Sequence, residues 1–344
     1  MKRSLFMLGV AVAALSSCSN NEVLDIAESN AIKFSNTFVG KPTRSVTAPE
    51  LTTDNLKEMY VFASKGGDPV FDANPKLVYR IGETNEWGYD NLVAWEASKN
   101  YNFVAYAGKD LGGSVTANDG NESLNFSGIV VNGEKDNQFD LLYSNTVKRS
   151  PATVDGNPTI DFTFGHLLSM VQFTLKSGFG ATTEVKITNF KFYGVKTTGS
   201  YDASQESPAW TSTSTNTIGD TKFTSADEEI AQYDAVATKD VVNSWVVIPQ
   251  QNVASGKVEM VKFTVNVVDG ETQIGTKDFT AKIPSITWEK GYRYNYIFTI
   301  TPEQMGVADQ YITFDAPEVT KWVDDTNLTI DEDNSSTSGV ELTE

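Results

Sequence analysis

A single cysteine, Cys18, and a single histidine, His166, stand in 344 residues. With no second cysteine, no disulfide can form within the chain, and packing must hold the fold. One histidine excludes a histidine-rich metal site, and any Ser/His/Asp triad would have to use His166. That residue lies in Phe162-Thr163-Phe164-Gly165-His166 amid core-type residues, and no Gly-x-Ser-x-Gly elbow exists to supply a nucleophile, so it reads as a structural histidine. A Gly-Lys-Ser/Thr phosphate loop is missing too; Gly66-Gly67 and Gly112-Gly113 read as turn glycines. The acidic run Asp331-Glu332-Asp333 lacks EF-hand spacing and reads as solvated tail. No metal and no cofactor are expected. Carboxylates are too numerous for a glycosidase pair to be picked out, so an enzyme acting on extracellular polymer stays as a third reading.

Long apolar runs are scarce as well. Residues 5–15 form one after the basic Met1-Lys2-Arg3, too short to span a bilayer, which makes residues 1–17 a signal peptide. It ends in Leu15-Ser16-Ser17-Cys18, and small residues before a lone cysteine resemble a bacterial lipobox, where Cys18 would carry the lipid. No other run approaches membrane-spanning length, so the mature chain is expected to be anchored to a membrane or free of it.

What is present is acidic and rich in strand formers. Lys and Arg number 27 against 45 Asp and Glu, a formal net charge of −18. Residues 1–44 carry five basic and three acidic side chains, so the remainder is two units more acidic still. Such a surface repels phosphate backbones, and nucleic acid is excluded as a partner. Thr, Val, Ile, Tyr and Phe recur in short runs between Gly, Asn and Asp clusters, which predicts an all-β fold.

Period-two alternation places the strands. In residues 32–38 it puts Ile32, Phe34 and Phe38 on one side, as a half-buried strand requires, with Asn36 interrupting the row. Strands follow at residues 56–63, 77–81, 101–107, 139–143, 159–164, 170–175, 185–195, 245–250, 258–268 and 276–283. The 185–195 strand slips by one near Asn189, which predicts a bulge or a bend. Residues 108–120 read as a loop and 201–238 as a long surface excursion with at most short strands. Hairpins are expected at 92–107 and at 286–300, the latter with Lys290-Gly291 at its tip. These two segments echo each other: Trp95, a polar turn, then Tyr101-x-Phe103, against Trp288, a polar turn, then Tyr292-x-Tyr294. Two copies of one β-sandwich in tandem, at 45–157 and 158–330 with an acidic tail at 331–344, account for the echo. Trp87 with Tyr89, and Trp210, lie in turn or loop sequence, where they serve either as sugar platforms or as aromatics pinned onto a sandwich edge.

The lipobox at Cys18, the Thr43-Arg44 step after a first strand, the Trp95 to Tyr106 segment, Phe162-Thr163-Phe164-Gly165-His166-Leu167-Leu168-Ser169, the Trp288-Glu289-Lys290-Gly291-Tyr292-Arg293-Tyr294 stretch and the late Tyr311-Ile312-Thr313-Phe314 to Trp322 segment come in an order that resembles the fimbrillin family of Bacteroidetes surface proteins. The resemblance implies two transthyretin-like antiparallel β-sandwich domains, export as an outer-membrane lipoprotein, a propeptide at 18–44 removed by cleavage between Arg44 and Ser45, and polymerisation by strand exchange into a fimbria that supports adhesion. Its partners would be other pilin subunits, membrane lipid through Cys18 before processing, and surface ligands of a host or neighbour. Ile32, Phe34 and Phe38 would then be the displaced strand, and the alternating pairs Leu328/Ile330 and Val340/Leu342 candidates for the donor, although a frayed terminus explains those pairs equally well. The competing reading is an anchored surface lipoprotein that binds glycans without polymerising.

Overall fold

The computed structural model describes residues 30–35, 37–39, 50–84, 86–133, 137–153, 159–180, 182–192, 195–212, 224–225, 228–230, 241–251, 257–306 and 311–322. Among the described residues the regular structure is nearly all strand, in several sheets that are mostly antiparallel, with a short helix at Pro302–Gly306. The alternation of β-branched and aromatic residues with polar ones is the cause.

The largest sheet runs Phe34–Ser35, Glu86–Gly88, Lys76–Arg80, Glu58–Lys65, Tyr101–Ala107, Leu142–Ser144, Thr163–His166 and Phe38–Val39. Its first and last members are neighbouring pieces of one short stretch of chain. Phe34 also bridges Ile160, which leads into the Thr163–His166 strand. The amino-terminal stretch therefore closes the sheet on itself, as barrels do to remove their edges. Inside lie Ile32, Phe34, Val39, Met59, Val61, Phe103, Phe162 and Phe164, all buried.

A second body faces a four-stranded sheet (Val241–Val247, Ser169–Ser177, Tyr292–Ile300, Glu318–Lys321) against a six-stranded one built on Thr183–Phe192, Lys257–Asp269 and Thr272–Pro284. Phe173, Phe190, Phe192, Trp245, Phe263, Trp288, Tyr296 and Phe314 fill the space between them. The bulge expected near Asn189 is present: the register shifts between Thr188 and Lys191, and Asn189 has φ of 53°.

Between the bodies lies a third cluster. The outer side of the first sheet gives Phe62 and Val104, and the outer side of the four-stranded sheet gives Met170 and Val246. A small sheet, Trp210–Ser212, Thr198–Asp202, Leu124–Val130 and Ser114–Ala117, gives Phe126, Ile129 and Tyr201. This sheet corrects one expectation: residues 108–120 hold a strand, Ser114–Ala117. The excursion after Tyr201 holds only short strands among the described residues, as expected, and the first of them, Trp210–Ser212, joins Leu124–Val130 through Thr198–Asp202. Pairing also carries Thr163–His166 into the first sheet, beyond the expected division at 157/158.

Neither expected hairpin forms. Thr287–Trp288 pairs with Gln250–Gln251, whereas Tyr292–Ile300 pairs with Ser169–Ser177 and Glu318–Lys321. Ala94 bridges Ala31, and Tyr101–Ala107 goes to Glu58–Lys65 and Leu142–Ser144. Each Trp segment is a corner at which the chain changes partners. At the corners the Glu96 N–H donates to the Tyr101 hydroxyl, and the Glu289 N–H to that of Tyr294, both at 2.8 Å. The third residue after each tryptophan has positive φ, Ser98 at 61° and Gly291 at 72°. The echo is thus real, but its register is Trp-Glu-x-x-x-x-Tyr-Asn, with Tyr101 matching Tyr294 and not Tyr292.

Candidate functional site

The site begins with the stretch that closes the first sheet. On one side the Ile32 N–H donates to the Val93 carbonyl at 2.8 Å, and the Trp95 N–H to the Asn30 carbonyl at 3.0 Å. On the other side the Ile160 N–H donates to Lys33 at 2.7 Å and the Ser35 N–H to Ile160 at 3.1 Å. Further along, Phe38 and Val39 run parallel to Thr163 and Phe164, and Val39 exchanges bonds with the Thr53 hydroxyl at 2.9 and 3.0 Å. A strand paired on both sides is an interior strand, although no other part of the chain holds it covalently except through residues 40–49.

Its side chains are committed to the core. Ile32 and Val39 are 0% exposed and Phe34 is 3%. Transfer of three such side chains from water is worth about 5–9 kcal/mol, so the stretch is held firmly while attached. Phe34 stacks near Phe162 and meets the edges of Tyr89 and Phe103. The Tyr89 hydroxyl donates to the Ile32 carbonyl at 2.9 Å, and burial pushes its pKa up to about 12. Of the expected displaced strand, Ile32 and Phe34 are thus brought into one core, and Phe38 is placed by its backbone pairing.

A buried polar clasp sits where the described chain resumes after residues 40–49. The Glu50 Oε1 accepts from Arg293 at 3.0 Å and from the Trp322 indole at 2.6 Å. The Trp322 ring lies flat on His166, centroids 4.1 Å apart, and His166 Nδ1 meets Asp140 Oδ2 at 2.8 Å. Asp140 also accepts the Leu51 N–H at 2.9 Å, and the Trp322 N–H donates to Gly291 at 2.6 Å. Burial raises the Glu50 pKa, against the opposing pull of the Trp322 hydrogen bond and the Arg293 charge. Because Asn55 donates to the Glu50 carbonyl and Thr53 binds Val39, one turn ties the end of the inserted strand to the last described residue, Trp322. Sequence reasoning missed this clasp, since its partners Glu50 and Trp322 lie 272 residues apart.

His166 is structural, as expected. Its Nε2 has no hydrogen-bond partner and meets no hydroxyl or thiol, so its pairing with Asp140 lacks a nucleophile among the described residues. Trp87 is buried beneath Arg80, and the partly buried Trp210 donates its indole N–H to the Leu167 carbonyl at 2.7 Å, so both are pinned onto the fold. Cys18, Arg44, Ser45, Leu328, Ile330, Val340 and Leu342 lie outside the described residues.

Comparison with curated proteins gives no match. Among solved structures, the chain is similar to a candidate cell adhesion protein of Bacteroides ovatus at 15% identity, over 86% of this chain and 98% of that one, with a TM-score of 0.47. It is also similar to a fimbrial protein of Bacteroides ovatus at 13% identity, over 79% of this chain and 50% of that one, with a TM-score of 0.38. The model of one protein family matches residues 43–322, most of the length, and on that match the chain belongs to the fimbrillin-like family, which is not a family of enzymes.

Proposed function

We propose that the chain is a structural subunit of a cell-surface fimbria, exported as an outer-membrane lipoprotein through Cys18, cut between Arg44 and Ser45, and polymerised by strand exchange. The observation that carries this reading is the amino-terminal stretch: paired on both sides, buried, and joined to the rest only through residues 40–49. One cut in that connector makes it a separate peptide. Its departure leaves the Glu86–Gly88 and Thr163–His166 strands with unpaired backbone groups over an open apolar groove, which a strand from a neighbour would refill.

The tail is the candidate donor. Trp322, the last described residue, is tied through Glu50 to the turn that holds Val39, and the candidate pairs follow it in sequence. Leu328/Ile330 or Val340/Leu342 would supply the alternating side chains. In domain language the proposal is two tandem transthyretin-like sandwiches, with the division after His166, where the chain passes from the first sheet into the four-stranded one.

Limited trypsin treatment of the purified precursor tests the reading. A cut after Arg44 followed by a ladder of assembled species is expected, and Arg44→Gln should abolish both. A cut chain that stays monomeric would refute the exchange, and an uncut one the processing.

A further inference from the structure

The outer face of the first sheet breaks the pattern that the rest of the fold obeys. Along Lys76–Arg80 the inward positions hold Lys76, Val78 and Arg80, while the outward ones hold Leu77 and Tyr79, followed by Ile81. Those three are 42%, 40% and 46% exposed. A solvated sheet face is ordinarily polar, and a contiguous apolar strip on one marks a binding surface. Gly88 stands opposite Tyr79, and a Cβ there would lie 3.3 Å from Ile81 and 3.5 Å from the Tyr79 ring, so the glycine lets both side chains lean together into a shelf.

Beside the shelf is a cleft of about 650 Å³, within the range of small-ligand sites. Glu58, directly across from Tyr79 and so on the same face, forms part of its wall. Asn55, Lys109, Asp110 and Val130 line it further. Its floor is kept open by Gly108, where a Cβ would come within 2.9 Å of the Asp140 carbonyl. Next along the shelf, Tyr60 stacks on Tyr106 at 5.0 Å.

The charges define the ligand. Among the described residues that line the cleft, the two cations are both paired, Lys57 with Glu83 and Lys109 with Glu58. Carboxylates outnumber them, in keeping with the −18 of the chain, which disfavours an anionic ligand. Nor can the shelf add a strand, because Lys76–Arg80 is hydrogen-bonded on both sides. A flat apolar and aromatic shelf joined to a polar, amide- and carboxylate-lined cleft suits a ligand with one C–H face and a rim of hydroxyls. We infer that this cleft and shelf form a binding site for a neutral saccharide, with the sugar face on Tyr79 and its hydroxyls towards Asn55, Glu58 and Asp110.

The uncut precursor is the material for the test, so that strand exchange plays no part. Neutral oligosaccharides are titrated into it and followed by tyrosine fluorescence and on an immobilised panel. Saturable binding is expected, weakened about tenfold by Tyr79→Ala and by Asp110→Gly, a change that fits the positive φ of 49° there, with thermal unfolding nearly unchanged, whereas Ile274→Ala, on the second body, leaves it intact. No retention of any neutral saccharide at millimolar concentration would overturn the inference, as would binding indifferent to both variants. Loss of self-association in Tyr79→Ala, without any saccharide binding, would assign the shelf to contact between copies and overturn it equally.

Discussion

Truncating Phe34 to alanine perturbs the inserted strand at its largest buried side chain. The ring is 3% exposed and has Tyr89, Phe162, Phe103 and Phe71 at centroid distances of 5.7, 6.0, 6.3 and 6.5 Å. Neighbours on four sides, themselves fixed by the sheet, can collapse only partly into the space, so the loss combines transfer and cavity at about 3–5 kcal/mol. For a body of this size that lowers the melting temperature by about 10 °C or more. Scanning calorimetry of the precursor reads it. The same variant in processed chain, from which the strand has gone, should melt like its parent, because the altered residue is no longer there. A precursor unaffected by Phe34→Ala would refute the packing, and a difference that persists after processing would refute the departure.

Three other outcomes follow from the clasp and the corners. Trp322→Ala should cost about 3–5 kcal/mol in denaturant unfolding, since it strips the ring from His166 and one donor from Glu50. Burial raises the Glu50 pKa, so the folded state favours the protonated form; that contribution is present below the ordinary value of 4.5 and is lost as pH climbs through the raised one. Parent stability should therefore fall relative to Glu50→Gln as pH rises from 4.5 towards 7, as read by melting temperatures across that range. Tyr101→Phe and Tyr294→Phe each remove the acceptor of a corner N–H and should cost about 1–3 kcal/mol, by similar amounts if the two corners are equivalent.

Alternation made the strands legible. It located Tyr101–Ala107, Ser169–Ser177 and the pair Ile32 and Phe34, because a side chain's face depends only on local spacing. Pairing was less legible. The Trp95 and Trp288 segments were read as hairpins from their turn residues, yet a positive φ at Ser98 or Gly291 specifies a bend and not the strand that comes to lie alongside. The same limit hid the partners of the Trp210–Ser212 strand, whose sheet is shared with residues from the other half of the chain. The clasp was least visible, since Glu50, Asp140, His166, Arg293 and Trp322 are individually ordinary and acquire meaning only through contacts across the sequence.

Hydrogen–deuterium exchange at Ile32 and Ser35, before and after trypsin, tests most directly whether the inserted strand is integral until cut. Both amides are bonded to backbone carbonyls elsewhere in the fold, those of Val93 and Ile160, so slow exchange is expected in the precursor, followed by fast exchange in the peptide released by cleavage. Fast exchange at these two positions in the intact precursor would contradict the account.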